Sequence, residues 1–179
     1  MLWVALLRAI NVGGTAKLPM ADLRTLCTAL GWQEVRTYIQ SGNIVFQAEG
    51  ASTDLETRLE EAVEEKFGFA RPVIIRSMVQ WQTYAAGSPF RQVQEDEPNR
   101  LMLCLAKGVM LPDAADRLRE RATAGEQISQ KGDALWIHYP DGAGNSKLTP
   151  ALFDRAAGSP VTARNWRTVT RLQGMLAGS

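Results

Sequence analysis

Residues 36–46, Arg-Thr-Tyr-Ile-Gln-Ser-Gly-Asn-Ile-Val-Phe, constrain the fold most, because they read as two strands joined by a tight polar turn. Val35, Thr37 and Ile39 alternate with polar or aromatic neighbours. Ser41-Gly42-Asn43 supplies turn residues that tolerate positive φ, and Ile44-Val45-Phe46 is β-branched and aromatic, as a strand requires. The densest polar cluster of the chain sits on this hairpin.

The flanking segments extend the pattern. Residues 2–8 are an almost unbroken apolar run, which suits a central strand covered on both faces. A loop follows over Ile10 to Lys17; Pro19 then fits the first position of a helix carrying Leu23, Cys27 and Leu30 and ended by Gly31. After the hairpin, Thr53 and Glu56 predict a capping box, and Leu55, Leu59, Ala62, Val63 and Phe67 form one apolar stripe. The glutamates of that helix read as its solvated face. Arg71 to Ser77, with Val73-Ile74-Ile75 inside, reads as a fourth strand. The order β-α-β-β-α-β is that of a ferredoxin-like plait.

The same order repeats downstream: a strand over 101–105, a helix from Asp113 to about Ala122, strands 127–130 and 134–139 around Lys131-Gly132-Asp133, and a helix capped by Thr149-Pro150 and ended by Gly158. Val161 to Ala163 reads as a short strand, followed by a helix with Trp166, Val169, Leu172 and Leu176 on one face. The expected fold is α+β, two ferredoxin-like plait subdomains packed together with an additional C-terminal helix. Residues 1–77 form the first, 78–98 a linker with a short helix around Trp81 and Tyr84, and 99–179 the second. The double-sided apolar run at 2–8 needs a second cover, either the second half of the chain or the 78–98 segment.

With 45% hydrophobic and 22% charged residues the chain has the balance of a globular protein, and its net charge of +1 provides no field to draw a polyanion. Nucleic acid is therefore disfavoured as a partner and would need a local patch, the best being Arg164, Arg167 and Arg171. The five tryptophans read as packing residues. Cys27 and Cys104 lie in separate apolar runs and read as reduced core thiols. No apolar run approaches the roughly 20 residues of a membrane span, and the start of the chain lacks a basic lead-in, so a cytoplasmic location with no membrane partner is expected. Composition does not set an oligomeric state.

In plait connectivity the loop after strand one and the turn between strands two and three share one end of the sheet. Arg8, Asn11, Gly13, Gly14 and Lys17 thereby approach Gln40, Ser41, Gly42 and Asn43, next to a helix N-terminus that favours anions. Two readings are open: a pocket for a small anionic or nucleotide-like ligand, or side chains that satisfy the backbone of two tight connections. Gly13-Gly14 fits neither the P-loop nor the dinucleotide fingerprint. No base stands beside Ser41 in sequence, and the lone His138 falls in a strand of the other half, so no catalytic set, metal site or cofactor is indicated.

The segments Leu6 to Gly14, Met20-Ala21-Asp22-Leu23, Thr37 to Phe46 and Thr162 to Val169 resemble the bacterial family known as domain of unknown function family 1697. The signature positions of that resemblance are Arg8, Asn11, Gly13, Gly14, Tyr38, Gln40, Ser41, Gly42, Asn43, Arg164, Asn165 and Trp166. It implies a pair of plait-like subdomains and no established activity.

Overall fold

Eight strands and seven α-helices organise the computed structural model, which describes residues 1–178. In chain order these are β1 (Leu2–Leu7), α1 (Met20–Ala29), β2 (Gln33–Tyr38), β3 (Asn43–Gln47), α2 (Ser52–Phe67), β4 (Val73–Ser77), α3 (Met78–Ala85), α4 (Arg91–Asp96), β5 (Leu101–Ala106), α5 (Ala114–Arg119), β6 (Gln127–Lys131), β7 (Ala134–His138), α6 (Pro150–Ala157), β8 (Val161–Asn165) and α7 (Trp166–Leu176). They build two antiparallel four-stranded sheets, β2-β3-β1-β4 and β6-β7-β5-β8, so the α+β fold of two ferredoxin-like plaits with a C-terminal helix is borne out. The chain divides into two compact units, Met1–Gln82 joined by the residues from Leu172 on, and Thr83–Arg171.

In the first unit Trp3, Ala5 and Leu7 of β1, Ile44 and Phe46 of β3, and Val73 and Ile75 of β4 pack with Leu23 and Cys27 of α1 and Leu55, Leu59 and Val63 of α2. The alternate side chains Val4, Leu6, Val45 and Ile74 are buried as well, which is why β1 carries no polar alternation. The core of the second unit repeats this arrangement with Cys104 and Ala106 of β5, Leu135 and Ile137 of β7, Ala114 and Leu118 of α5, and Ala156 and Ala157 of α6. All five tryptophans are buried.

The β1–β4 and β5–β8 pairings of the two plaits match in register, whereas β2 carries a bulge between Gln33 and Arg36 that β6 lacks. Trp3 pairs with Ser77 and Val4 with Arg76 in the first sheet, as Met102 pairs with Asn165 and Leu103 with Arg164 in the second. β4 runs straight into α3 just as β8 runs into α7, so the helix around Trp81 is the counterpart of the C-terminal one. The 78–98 segment carries this helix and α4, which the polar string from Gln92 had concealed.

Three local expectations are corrected. Pro19 is the N-cap of α1, not its first helical residue. The capping box does not form: α2 begins at Ser52 with Ala51 as N-cap and no side-chain cap. Glu56 instead is 4% exposed and accepts the N–H of Ile75 at 2.8 Å, while Glu60 accepts that of Val73 at 2.8 Å. These glutamates, one helical turn apart, cover the free edge of β4, and Gln80 accepts the N–H of Ser77 at 2.9 Å to complete the row. Asp154 does the same for Val161 at 2.9 Å in the second plait. The expected α6 cap is present: Thr149 Oγ1 accepts from Leu152 N at 3.3 Å, and Gly158 closes the helix at φ 72°.

Candidate functional site

The loop after β1 is built around a small internal ladder. Thr15 N–H donates to Val12 O and Asn11 N–H to Ala16 O, both at 3.0 Å, with Gly13 and Gly14 at φ 58° and 75° across the tip. Two successive positive φ values suit a type I′ turn, and they account for the glycine pair.

Asn11 ties this loop down. Its Nδ2 donates to Leu18 O at 2.9 Å and to Gln40 O at 2.7 Å, and its Oδ1 accepts from Leu18 N at 2.8 Å. One side chain therefore closes the loop on itself and fastens it to the β2–β3 turn. That turn is held in the same manner by Asn43, fully buried, whose Nδ2 donates to Tyr38 O and to Ser41 Oγ, each at 2.9 Å. Leu7 N–H donates to Gly42 O at 2.9 Å. At φ 80°, Gly42 sits so close to β1 that a Cβ would lie 2.6 Å from Ile10 Cδ1 and 2.9 Å from Leu7 Cβ.

The structure thus brings the nine sequence candidates to one end of the first sheet and divides them by what they do. Asn11, Gly42 and Asn43 shape backbone, Ser41 accepts from Asn43 within the turn, and Gly13 and Gly14 make an exposed turn. Lys17 and Gln40 are exposed. Arg8 is half-buried, its N–H donating to Pro72 O at 3.0 Å at the start of β4. Beside it stands Arg71, a residue that sequence reasoning missed. Its Nε donates to Ala9 O at 3.3 Å and its Nη1 to Ala70 O at 2.9 Å, which fixes a second guanidinium at this end. The signal was available: in a plait the start of strand four adjoins the end of strand one.

Backbone strain gathers here too. Of the five described non-glycine residues with positive φ, four lie here, Ala9, Asn11, Ala16 and Ile39 at φ between 48° and 55°, and the fifth is Glu34 of β2. Each such conformation costs about 1 kcal/mol or more and persists where the surroundings enforce it. Val12 and Ile39 are 60% and 51% exposed, so the rim mixes apolar and cationic groups.

The arginine trio proposed for nucleic acid does not form one surface. Arg164 is buried on β8, where Nη1 donates to Thr162 Oγ1 at 2.7 Å and Ala163 O at 2.8 Å, and desolvation lowers its pKa to about 10. Arg167 and Arg171 are exposed on α7. His138, on β7, has Nε2 3.0 Å from Glu97 Oε2. Among the described residues no cluster of three His, Cys, Asp or Glu side chains could hold a metal, and no helix is long and apolar enough to cross a membrane.

Residues 1–136, which include the whole of this loop and hairpin, match the family described as "Protein of unknown function (DUF1697)". The chain belongs to this family. A solved structure of a conserved bacterial protein from Streptococcus pneumoniae is similar to this DUF1697 chain with TM-score 0.76 and 24% identity, covering 98% of both chains, and it supports the fold over its full length. No protein of curated function matches. The segment from Thr162 to Val169 that resembles the family lies beyond the residues matched by the DUF1697 model.

Proposed function

We propose that this DUF1697 protein binds a small anionic or nucleotide-like ligand at the end of the first sheet formed by loop 8–17 and turn 40–43. The observation that carries this reading is the difference between the two plaits. Their central strands match in register, yet the connection after β1 spans 8–19 where its counterpart spans 107–113, and the β2–β3 turn spans 39–42 where its counterpart spans 132–133. The added residues all fall at one end, on surface connections held by a rigid scaffold, which is where binding groups are usually carried.

Arg8, Lys17 and Arg71 supply positive charge there, Gln40 an exposed amide, and the loop leads into the N-terminus of α1, whose N-cap makes no side-chain bond. Asn11 and Asn43 are the framework that holds these groups.

Thermal unfolding with inorganic phosphate and common nucleotides tests the reading. A ligand at ten times its Kd adds about 1.4 kcal/mol of stability. Such a gain is expected for wild type and is expected to vanish in Lys17→Ala, Gln40→Ala and Arg71→Ala. Should none of these anions raise the wild-type midpoint, or should the variants respond as wild type does, the loops serve shape alone.

A further inference from the structure

The opposite end of the same sheet holds a cavity of about 290 Å3, lined by the end of α1, Trp32, Gln33, Gln47, Glu49 and Arg58. Trp32 is 3% exposed and stacks on Phe46 with ring centroids 3.9 Å apart and planes 11° apart. Its Nε1–H has no acceptor among the described residues. Leaving a buried donor unpaired costs about 1–3 kcal/mol, and native interiors rarely do so without a reason.

Trp3 Nε1 already donates to Ala48 O at 3.0 Å, on the cavity wall.

The wall carries one guanidinium, Arg58, and one carboxylate, Glu49. Arg58 Nη2 donates to Leu30 O at 2.6 Å, which fixes the guanidinium at the rim and leaves it further donors. Glu49, the one carboxylate on the wall, lies 2.9 Å from the ammonium group of Met1, which offsets it. Gln33 and Gln47, paired across β2 and β3, add amides that both donate and accept.

From this geometry we infer that the cavity binds a small organic oxyanion, a carboxylate or a phosphate monoester, with one oxygen accepting from Trp32 Nε1 and the charge held by Arg58. The site is separate from loop 8–17 and does not rest on the function proposed for it. The ligand reaches the buried N–H by displacing the exposed Gln33 side chain, not the stacked ring or Arg58.

The test reads the indole N–H directly, by 1H–15N correlation spectra of the full chain, with the Trp32 signal assigned from its loss in Trp32→Phe. Acetate, succinate, inorganic phosphate and glycerol phosphate are titrated separately, so that carboxylate and phosphate sources are distinguished. For at least one probe the Trp32 signal is expected to move saturably with a Kd on the order of 1 mM. In Arg58→Gln that shift is expected to weaken at least about tenfold, the loss of roughly one charge-assisted contact. Arg58 is exposed, so this variant keeps the fold even if Trp32→Phe loosens it. A Trp32 signal that stays fixed, drifts linearly with ionic strength, or moves equally in Arg58→Gln overturns the inference.

Discussion

At the scale of single residues, the loop and turn of the first plait separate side chains that build from side chains that face solvent. Asn11→Ala removes three hydrogen bonds and strands the Leu18 N–H in a residue with no exposure, so a loss of about 1–3 kcal/mol in urea unfolding is expected. Gly42→Ala adds a left-handed strain of about 1–2 kcal/mol to an overlap with Leu7 and Ile10 worth about 1–3 kcal/mol. Gly13→Ala meets nothing within 4 Å and is expected to cost the strain alone, so the gap between the two glycine variants measures the close approach. The thiols follow the same logic of burial. Cys27 and Cys104 are free and buried, and desolvation pushes both pKa values up to about 12 from 9.0. The folded state then keeps protons that the unfolded chain releases, so this contribution is full below pH 9 and lost as pH rises toward 12. The stability of wild type relative to the doubly substituted Cys27→Ala, Cys104→Ala chain is expected to fall through that window. At neutral pH both thiols are expected to resist a thiol reagent until urea is added.

At the scale of elements, the helix with the clearest apolar stripe, α2, was legible as a helix and illegible in its purpose. Its apolar stripe marks Leu55, Leu59 and Val63 correctly as core, and periodicity alone assigns the intervening glutamates to water. The need they serve arises only in the folded sheet, where β4 is an edge strand with alternate N–H groups at Val73, Ile75 and Ser77 facing away from β1. Glu56→Ala leaves the Ile75 N–H buried without an acceptor and is expected to cost about 1–3 kcal/mol, whereas Glu56→Gln keeps an acceptor and is expected to cost much less. Removing Glu56 and Glu60 together opens the edge, and concentration-dependent light scattering is expected to rise for the double alanine variant. Equal stability of the alanine and glutamine variants would show that the carboxylate acts through something other than this bond. Trp32 was hidden for a related reason: an indole without an acceptor is a property of three-dimensional surroundings, and the sequence displays only an aromatic residue after a helix-ending glycine.

At the scale of the whole chain, the doubled β-α-β-β-α-β order was legible because strands and helices differ in period, and the turns at Gly132 and Gly158 carry their own chemistry. The equivalence of α3 and α7 was not, since it rests on register: Arg76 and Arg164 occupy matching positions opposite Val4 and Leu103. That register also bears on the nucleic-acid reading. A strand arginine facing inward contributes no phosphate contact, and the patch reduces to Arg167 and Arg171, one turn apart on α7. Neutralising two phosphates gives a slope of about −1.8 in log affinity against log salt, so any polynucleotide binding at this patch is expected to fall only about twelvefold between roughly 50 and 200 mM salt. With a net charge of +1 there is no wider field to add to it. Fluorescence anisotropy of a labelled oligonucleotide across that salt range decides the matter. Weak binding with a shallow slope, abolished in an Arg167→Ala, Arg171→Ala double variant, is the expected result. A slope steeper than about −4 would require more than four phosphate contacts, and the nucleic-acid surface would then have to be sought away from α7.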